Sequence, residues 1–180
     1  MTPDVFVANE QDEIRVDEEF WVELAKGVLE SQGVSGAGEL SVLFVDESSI
    51  SSLNERFMNK TGPTDVLSFP IDLESTLGGR SPDGGGTGPA GGGPKKSDLP
   101  YLLGDVVICP KVAMVQCEEH LGDRGHDGSF DDEVALLLVH GILHLRGMDH
   151  ELEDEAEAME AKEDEILSSV YRPLKERRQR

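Results

Sequence analysis

Hydrophobic and polar positions follow two different periods along the first part of the chain. From Asp17 to Gln32, apolar residues recur at the i, i+4, i+8 spacing of one buried helix face. The stretches "ELSVLFVDE" and "TDVLSFPI" are instead rich in β-branched and aromatic residues, which favour strands. The first is apolar throughout its middle, so we expect a central strand. Between them Ser48 or Ser49 is expected to cap a second helix, and a short opening strand is expected at Asp4–Val7.

The second half of the chain continues with one strand and three helices. "YLLGDVVICP" predicts a strand that stops at Pro110, followed by a helix ending near Gly122. Ser129 or Asp131 would cap a helix that runs through "DDEVALLLVHGILHLRG" and is apolar enough to lie centrally. A last helix, about residues 151–170, combines an apolar stripe with a very acidic face, which we interpret as a solubility surface. The pattern predicts one α+β domain over residues 1–180.

A glycine-rich segment interrupts this pattern. Nine of the sixteen residues at 78–93 are glycine, without an aromatic or aliphatic anchor. Such a segment cannot bury enough apolar surface to offset the entropy lost on ordering. We therefore predict a flexible surface insertion at about residues 77–100. It lacks the spacing of a phosphate-binding loop.

The chain is strongly acidic, with a formal net charge of −21. This argues against a protein that coats nucleic acid non-specifically, because such proteins gain affinity by neutralising phosphates. A local basic cleft stays open as an alternative. The sequence contains no apolar run long enough to span a membrane and no apolar signal-peptide core, so the cytoplasm is the expected location. Cys109 and Cys117 are expected to be reduced core residues.

Three of the five histidines lie within "HGILHLRGMDH". His140 and His144 are four apart on the predicted helix, so both imidazoles project from one face and can reach one metal ion at about 2.0–2.1 Å. Gly147 can reverse the chain after the helix and bring His150 back towards them. Three imidazoles leave one tetrahedral position open, as in catalytic zinc sites. We predict one Zn²⁺ ion there, since zinc is the commonest tetrahedral metal among those that imidazole suits.

Some histidines and carboxylates have simpler interpretations. His120 and His126 are expected to be solvated, because they lie in or beside a loop. Asp65 and Asp105 are expected to stabilise strand starts. Zinc peptidases with H-E-x-x-H place a general base directly after the first histidine, but this sequence has Gly141. The missing base argues against peptide hydrolysis and favours another hydrolysis or a binding role.

Three blocks of the sequence resemble the YbeY family of bacterial endoribonucleases. "HGILHLRGMDH" is close to the family signature H-G-x-L-H-L-x-G-x-D-H, "GPTDVLSFP" resembles its P-T-D-V-L-S-F strand, and "LLGDVVICP" resembles its L-G-D-I-x-I strand. The likeness covers roughly residues 39–171 except for the glycine-rich insertion. The histidine block alone would leave metzincin-like relatives open; the three blocks together are far more specific.

The resemblance implies a fold, a metal and a reaction. The fold would be a small mixed β-sheet packed with about five helices, including a metzincin-like zinc-site helix. Zinc would bind to His140, His144 and His150, and the activity would be single-strand-specific RNA cleavage. The implied biology is 16S rRNA 3′-end maturation, ribosome biogenesis and ribosome quality control. Small-subunit components and an Era-type GTPase would be partners, and DNA and membranes would not.

The sequence departs from the family at one position. Many members have an arginine, thought to hold RNA phosphate, where this chain has Met58. Arg56 and Lys60 flank it, but on a helix they are expected to point elsewhere. Arg146, beside the metal, is our substitute candidate for the phosphate contact, with an ordinary surface arginine as the alternative. Asp149 is expected either to orient a ligand imidazole or to cap the turn.

Two rival functions remain open at this point. The protein could be a non-catalytic ribosome-assembly factor stabilised by zinc, or a zinc peptidase that takes its carboxylate from elsewhere. The basic C-terminus "RPLKERRQR" would either touch RNA or form a frayed helix end, where cations are favoured.

Overall fold

The computed structural model describes residues 2–34, 36, 38–71 and 101–180. The predicted insertion at about 77–100 lies outside the described residues. The strands are β1 (Asp4–Asn9), β2 (Gly38–Phe44), β3 (Val66–Pro70) and β4 (Tyr101–Ile108). The α-helices are α1 (Glu18–Ser31), α2 (Glu47–Met58), α3 (Pro110–Gln116), α4 (Phe130–Leu145), α5 (Glu153–Ile166) and α6 (Arg172–Arg178).

The strands form one mixed sheet in the order β1-β2-β4-β3. β1, β2 and β4 are parallel, whereas β3 runs antiparallel to β4. Central β2 and β4 are apolar in the middle because both of their faces are covered. This confirms the predicted α+β class, the mixed sheet and the central position of "ELSVLFVDE".

Helices cover both faces of this sheet. α1 packs against β1, and α4 packs against β3 and β4. Side chains alternate along β4, so that Val106 joins the main core while Val107 joins a smaller core with Ile50 of α2. α4 lies in the centre of the main core, and eleven of its sixteen residues are buried. The helix that carries two of the three histidines is therefore held rigidly against the sheet.

Several predicted element boundaries were wrong for local reasons. Asp46, not Ser48 or Ser49, caps α2, since its carboxylate accepts the Ser49 N–H at 2.8 Å. Ser129 caps α4 as one of the two predicted alternatives. The helix after Pro110 ends at Gln116 rather than near Gly122. Asp105 lies inside β4 and is not at its start.

The last helix of the chain is shorter than predicted and is followed by more ordered structure. α5 ends at Ile166, a π-helical turn spans Leu167–Tyr171, and α6 completes the described chain. Within α6 Leu174 is buried, and Lys175 forms ion pairs with Asp127 and Asp132, each at 2.7 Å. The C-terminus is therefore a docked helix, not a frayed one.

Both cysteines are buried and free, as predicted. None of the described helices is long and apolar enough to cross a membrane.

Candidate metal centre

Three imidazoles converge in an open cleft between α4, β3 and α5. His140 and His144 lie one turn apart on α4, with their Nε2 atoms 3.0 Å apart. The His150 ring centroid lies 5.5 Å from that of His140 and 5.1 Å from that of His144. One ligand atom from each of the three rings lies within 4.8 Å of the others. The structure thus brings together the three residues that the spacing selected.

A glycine turn brings the third histidine back. α4 ends at Leu145, and Gly147 takes the left-handed conformation at φ +89°. The Gly147 and Met148 amides donate to the carbonyls of His144 and Leu143, at 2.9 and 3.1 Å. These bonds close the helix end, so the following residues reverse direction. A side chain at position 147 would strain this turn whatever the surrounding space.

A buried carboxylate orients the first imidazole. The Nδ1 atom of His140 lies 2.6 Å from Oε1 of Glu163 on α5, and Glu163 is only 3% exposed. Since a carboxylate accepts hydrogen bonds, Nδ1 carries the ring proton and Nε2 keeps a free lone pair. Arg124 donates to the other oxygen of Glu163 through both terminal nitrogens, each at 3.2 Å. This is the carboxylate–histidine arrangement that surrounds many protein metals.

The electrostatics around His144 favour its neutral imidazole, the form that binds a metal ion. Burial lowers the pKa of His144, and the neighbouring His140 and His150 lower it further. A divalent cation would therefore meet nitrogen lone pairs, with the Glu163 carboxylate behind one of them. The donor set fits a metal that prefers imidazole.

The position after the first histidine has no room for a catalytic carboxylate. A Cβ atom on Gly141 would lie 2.7 Å from Cγ1 of buried Val106 and 3.2 Å from Oγ of Ser68. The Ser68 hydroxyl also donates to the Gly141 carbonyl at 3.0 Å. Position 141 therefore faces the sheet, so a glutamate base could not stand there without moving α4 away from it.

The two predicted catalytic residues lie in different surroundings. Asp149 lines the cleft and accepts the His150 backbone N–H at 2.7 Å, so it caps the turn that carries the third histidine. Arg146 is exposed, donates to the Gln32 carbonyl at 3.4 Å, and is not among the cleft residues. The catalytic role of each stays a prediction.

The rim formed by the end of α2 differs from expectation. Met58, at the position of the family arginine, lines the cleft and is 39% exposed. Arg56 lies over the Phe57 ring at 5.1 Å. Lys60 was expected to point elsewhere, but it lines the cleft, because α2 ends at Met58 and Asn59 turns the chain with φ 54°. A lysine therefore stands near the place where the family arginine is missing.

Other side chains at the cleft have surroundings that the sequence did not predict. Glu163 had been assigned to a solvated acidic face. His120 and His126 were expected to be solvated, yet His126 is only 8% exposed and His120 lies 2.7 Å from buried Glu133. Asp65 lines the cleft and accepts the Val66 N–H at 2.7 Å, so it stabilises the start of β3 as predicted.

The fold and the site together define a small α+β protein with a three-histidine candidate metal centre in an open cleft. Comparison with known proteins then gives the family. The family model described as "Endoribonuclease YbeY" matches residues 6–171. The chain belongs to this family of endoribonucleases.

Individual relatives agree with this assignment. The endoribonuclease YbeY of Thermobifida fusca is 42% identical over 170 residues, which cover 94% of this chain and 96% of that protein. The protein of the same name from Mycobacterium sp. strain KMS is 43% identical over 161 residues, covering 89% and 80%. The solution structure of TM1509 from Thermotoga maritima aligns over 91% of this chain and 89% of that one, with 20% identity and a TM-score of 0.48, too low to support an argument.

Proposed function

We propose that this protein is a zinc-dependent endoribonuclease that cleaves single-stranded RNA during rRNA processing. One observation supports the metal dependence above all: three imidazoles converge, and Glu163 holds the proton of His140 on the nitrogen that faces away from the other rings. Family membership supports the reaction on RNA. The packing of Gly141 against Val106 argues against a peptidase of the H-E-x-x-H kind.

In this proposal His140, His144 and His150 hold the ion, and Glu163 orients the first of them. Zinc bound there would supply Lewis-acid polarisation of a phosphate oxygen, activation of water, or both. The attacking group is either water or the RNA 2′-hydroxyl, since position 141 offers no base. Asp149 is the only side-chain carboxylate of the 140–150 segment, and its Oδ1 already accepts a backbone N–H.

The shape of the cleft suits a single strand. It has a volume of about 860 Å³ and is open to solvent, with apolar residues interspersed among the polar ones. Single strands are bound by grooves that follow the backbone through a few cationic contacts, without base-specific readout. Lys60 and Arg124 are the lysine and the arginine among the described lining residues.

The central experiment removes one metal ligand. We expect His144→Ala to lose both zinc, measured by elemental analysis of the purified protein, and cleavage of a single-stranded RNA. Val115→Ala is the matched control, because Val115 is 67% exposed on α3 and outside the cleft. It should retain zinc and activity. Full RNA cleavage by a folded, zinc-free His144→Ala protein would refute the proposal.

Two further measurements distinguish the nuclease from a non-catalytic assembly factor and identify the attacking group. A zinc-loaded wild-type protein that restores ribosome assembly but cleaves no RNA would favour the non-catalytic assembly factor. A single 2′-deoxy substitution at the cleavage position would stop the reaction only if the 2′-hydroxyl attacks. We further propose 16S rRNA 3′-end maturation and ribosome quality control as the setting, with small-subunit components and an Era-type GTPase as partners and the cytoplasm as the location.

A further inference from the structure

A second group of histidines lies beside the metal centre, around one buried carboxylate. Glu133 of α4 is fully buried. Its Oε2 atom lies 2.7 Å from Nδ1 of His120 and 3.1 Å from Nε2 of His126. His126 is almost completely buried, whereas the His120 side chain is 38% exposed and lines the same cleft as the metal centre.

The hydrogen bonds of this group argue against a second metal ion. The Gly128 backbone N–H donates to Nδ1 of His126 at 2.9 Å. That nitrogen is therefore the acceptor of the ring, so Nε2 carries the proton and has no lone pair for a cation. The Nε2 atom of His126 lies 3.1 Å from Oε2 of Glu133 but is not aligned for a hydrogen bond to it. His120 presents Nδ1 to Glu133, which leaves its Nε2 as the ring nitrogen for a ligand in the cleft.

We propose that His120, positioned by Glu133, is a phosphate-binding site of the cleft that contacts the RNA backbone next to the metal centre. The inference rests on the proposed function for the identity of the polyanion. Glu133 precedes His140 by seven residues, about 10 Å along the helix. The two sites would therefore contact different phosphates of one strand.

The charge of the cleft explains why such a site is needed. The described lining residues include five carboxylates but only two permanent cations, Lys60 and Arg124. The charge of Arg124 is already paired with Glu163 and Asp164, at 3.2 and 3.3 Å. A strand of phosphates entering this cleft would be repelled without further positive charge. An imidazolium at His120 supplies that charge together with a donor for a phosphate oxygen.

The surroundings of His120 favour its protonated form. The hydrogen bond to Glu133 raises the pKa of His120, partly opposed by burial, and the charges of Glu133, Asp123 and Glu119 raise it further. On the other side His126 stacks edge-on against the ring, with centroids 5.9 Å apart, and its Nδ1 is already occupied by a backbone N–H. Since the pKa is raised, the cation persists to higher pH than in an unperturbed histidine and is lost as pH rises through the raised value.

The test measures RNA binding at two pH values. A fluorescein-labelled, single-stranded 2′-O-methyl oligoribonucleotide is titrated with zinc-loaded protein, and its dissociation constant is read from fluorescence anisotropy at about pH 6 and about pH 9. We expect His120→Gln to weaken binding about tenfold at the lower pH and to match the wild type at the higher pH. His120→Arg, which keeps its charge throughout, should bind tightly at both.

A matched control removes a cation elsewhere. Arg177 is 69% exposed and pairs with Glu23, away from the cleft. Arg177→Gln should change the dissociation constant by less than about twofold, and equally at both pH values. The dissociation constant of each variant is divided by that of the wild type at the same pH, so a change in zinc occupancy that both proteins share cancels.

The binding outcomes test the phosphate site at His120, and the cleavage outcome tests the proposed nuclease activity. The phosphate site is overturned if His120→Gln binds as tightly as the wild type at about pH 6, or if His120→Arg loses affinity with rising pH as the wild type does. If His120→Gln fails to fold, the comparison of His120→Arg with the wild type decides alone. RNA cleavage by the wild type is scored separately, so a protein that binds with the expected pH dependence but never cleaves refutes only the nuclease.

Discussion

Replacement of Glu163 by Gln tests the hydrogen-bonded carboxylate behind the metal centre. The 2.6 Å contact to His140 joins an imidazole to a buried carboxylate that is only 3% exposed. An amide has one oxygen and one NH₂ group. If its oxygen faces His140, the NH₂ group faces the Arg124 guanidinium; if it is turned, the NH₂ group faces the His140 N–H. Either orientation sets one donor against another.

The expected result is weaker zinc binding in a folded protein. Loss of such an outer carboxylate typically costs about 10- to 100-fold in metal affinity, or about 1.4–2.8 kcal/mol. The assay is zinc competition with a chromophoric chelator at near-neutral pH. Glu160→Gln is the matched control, since Glu160 also lines the cleft but its side chain is exposed. Equal zinc affinity in the two variants would refute the reasoning, because removal of a nearby charge would then be the whole effect.

Two further substitutions test the packing around the site. Gly141→Ala gains about 1 kcal/mol in helix propensity but places a Cβ 2.7 Å from Cγ1 of Val106, where overpacking costs about 1–3 kcal/mol. We expect a lower free energy of unfolding in urea, restored when Val106→Ala is added; a single variant at least as stable as the wild type would contradict this. Asp132→Asn should cost about 3 kcal/mol near pH 7, because the buried Asp132 carboxylate pairs with both Lys175 and Arg172, at 2.7 and 2.9 Å. Burial acts to raise the pKa of Asp132, but the hydrogen bonds from Lys175 and other donors outweigh it and lower the pKa. Stabilisation by this carboxylate is therefore full above its unfolded-state pKa and is lost as pH falls through the lower folded value. The melting temperatures of the variant and the wild type should converge in acid. A difference between them that stays constant as the pH is lowered would argue against the pairing.

The convergence of the three histidines could be predicted from the sequence because it depends on local rules. The spacing of His140 and His144 fixes both rings on one helix face, and Gly147 fixes the reversal that returns His150. The period of apolar residues likewise placed α1 and α4 within a residue or two. Each of these inferences depends only on residues that are near one another in the sequence, and the structure agrees with each of them.

The partners of the site could not be predicted because they come from distant parts of the chain. Glu163 lies 23 residues from His140 and 39 from Arg124. In a helix with so many carboxylates, composition alone favours a solvated face. One signal was available: Glu163 follows Met159 by four residues and precedes Ile166 by three, so it lies on the buried stripe of α5. A carboxylate in an apolar stripe requires a buried partner.

The same rule accounts for Glu133, and the two carboxylates together explain how so acidic a chain could accept RNA. Each is buried on the cleft side and pairs with histidine, and Glu163 pairs with arginine as well, so the negative charge that each presents to a ligand is reduced. The net charge of −21 opposes the long-range attraction of RNA to the protein as a whole. In our proposal, affinity comes instead from short-range contacts at fixed points: a metal ion on three imidazoles, and a cationic His120 held by Glu133, which lies two helical turns before His140. Binding of this kind selects a strand that can place its phosphates at both points, which an exposed and flexible backbone does more readily than a rigid duplex.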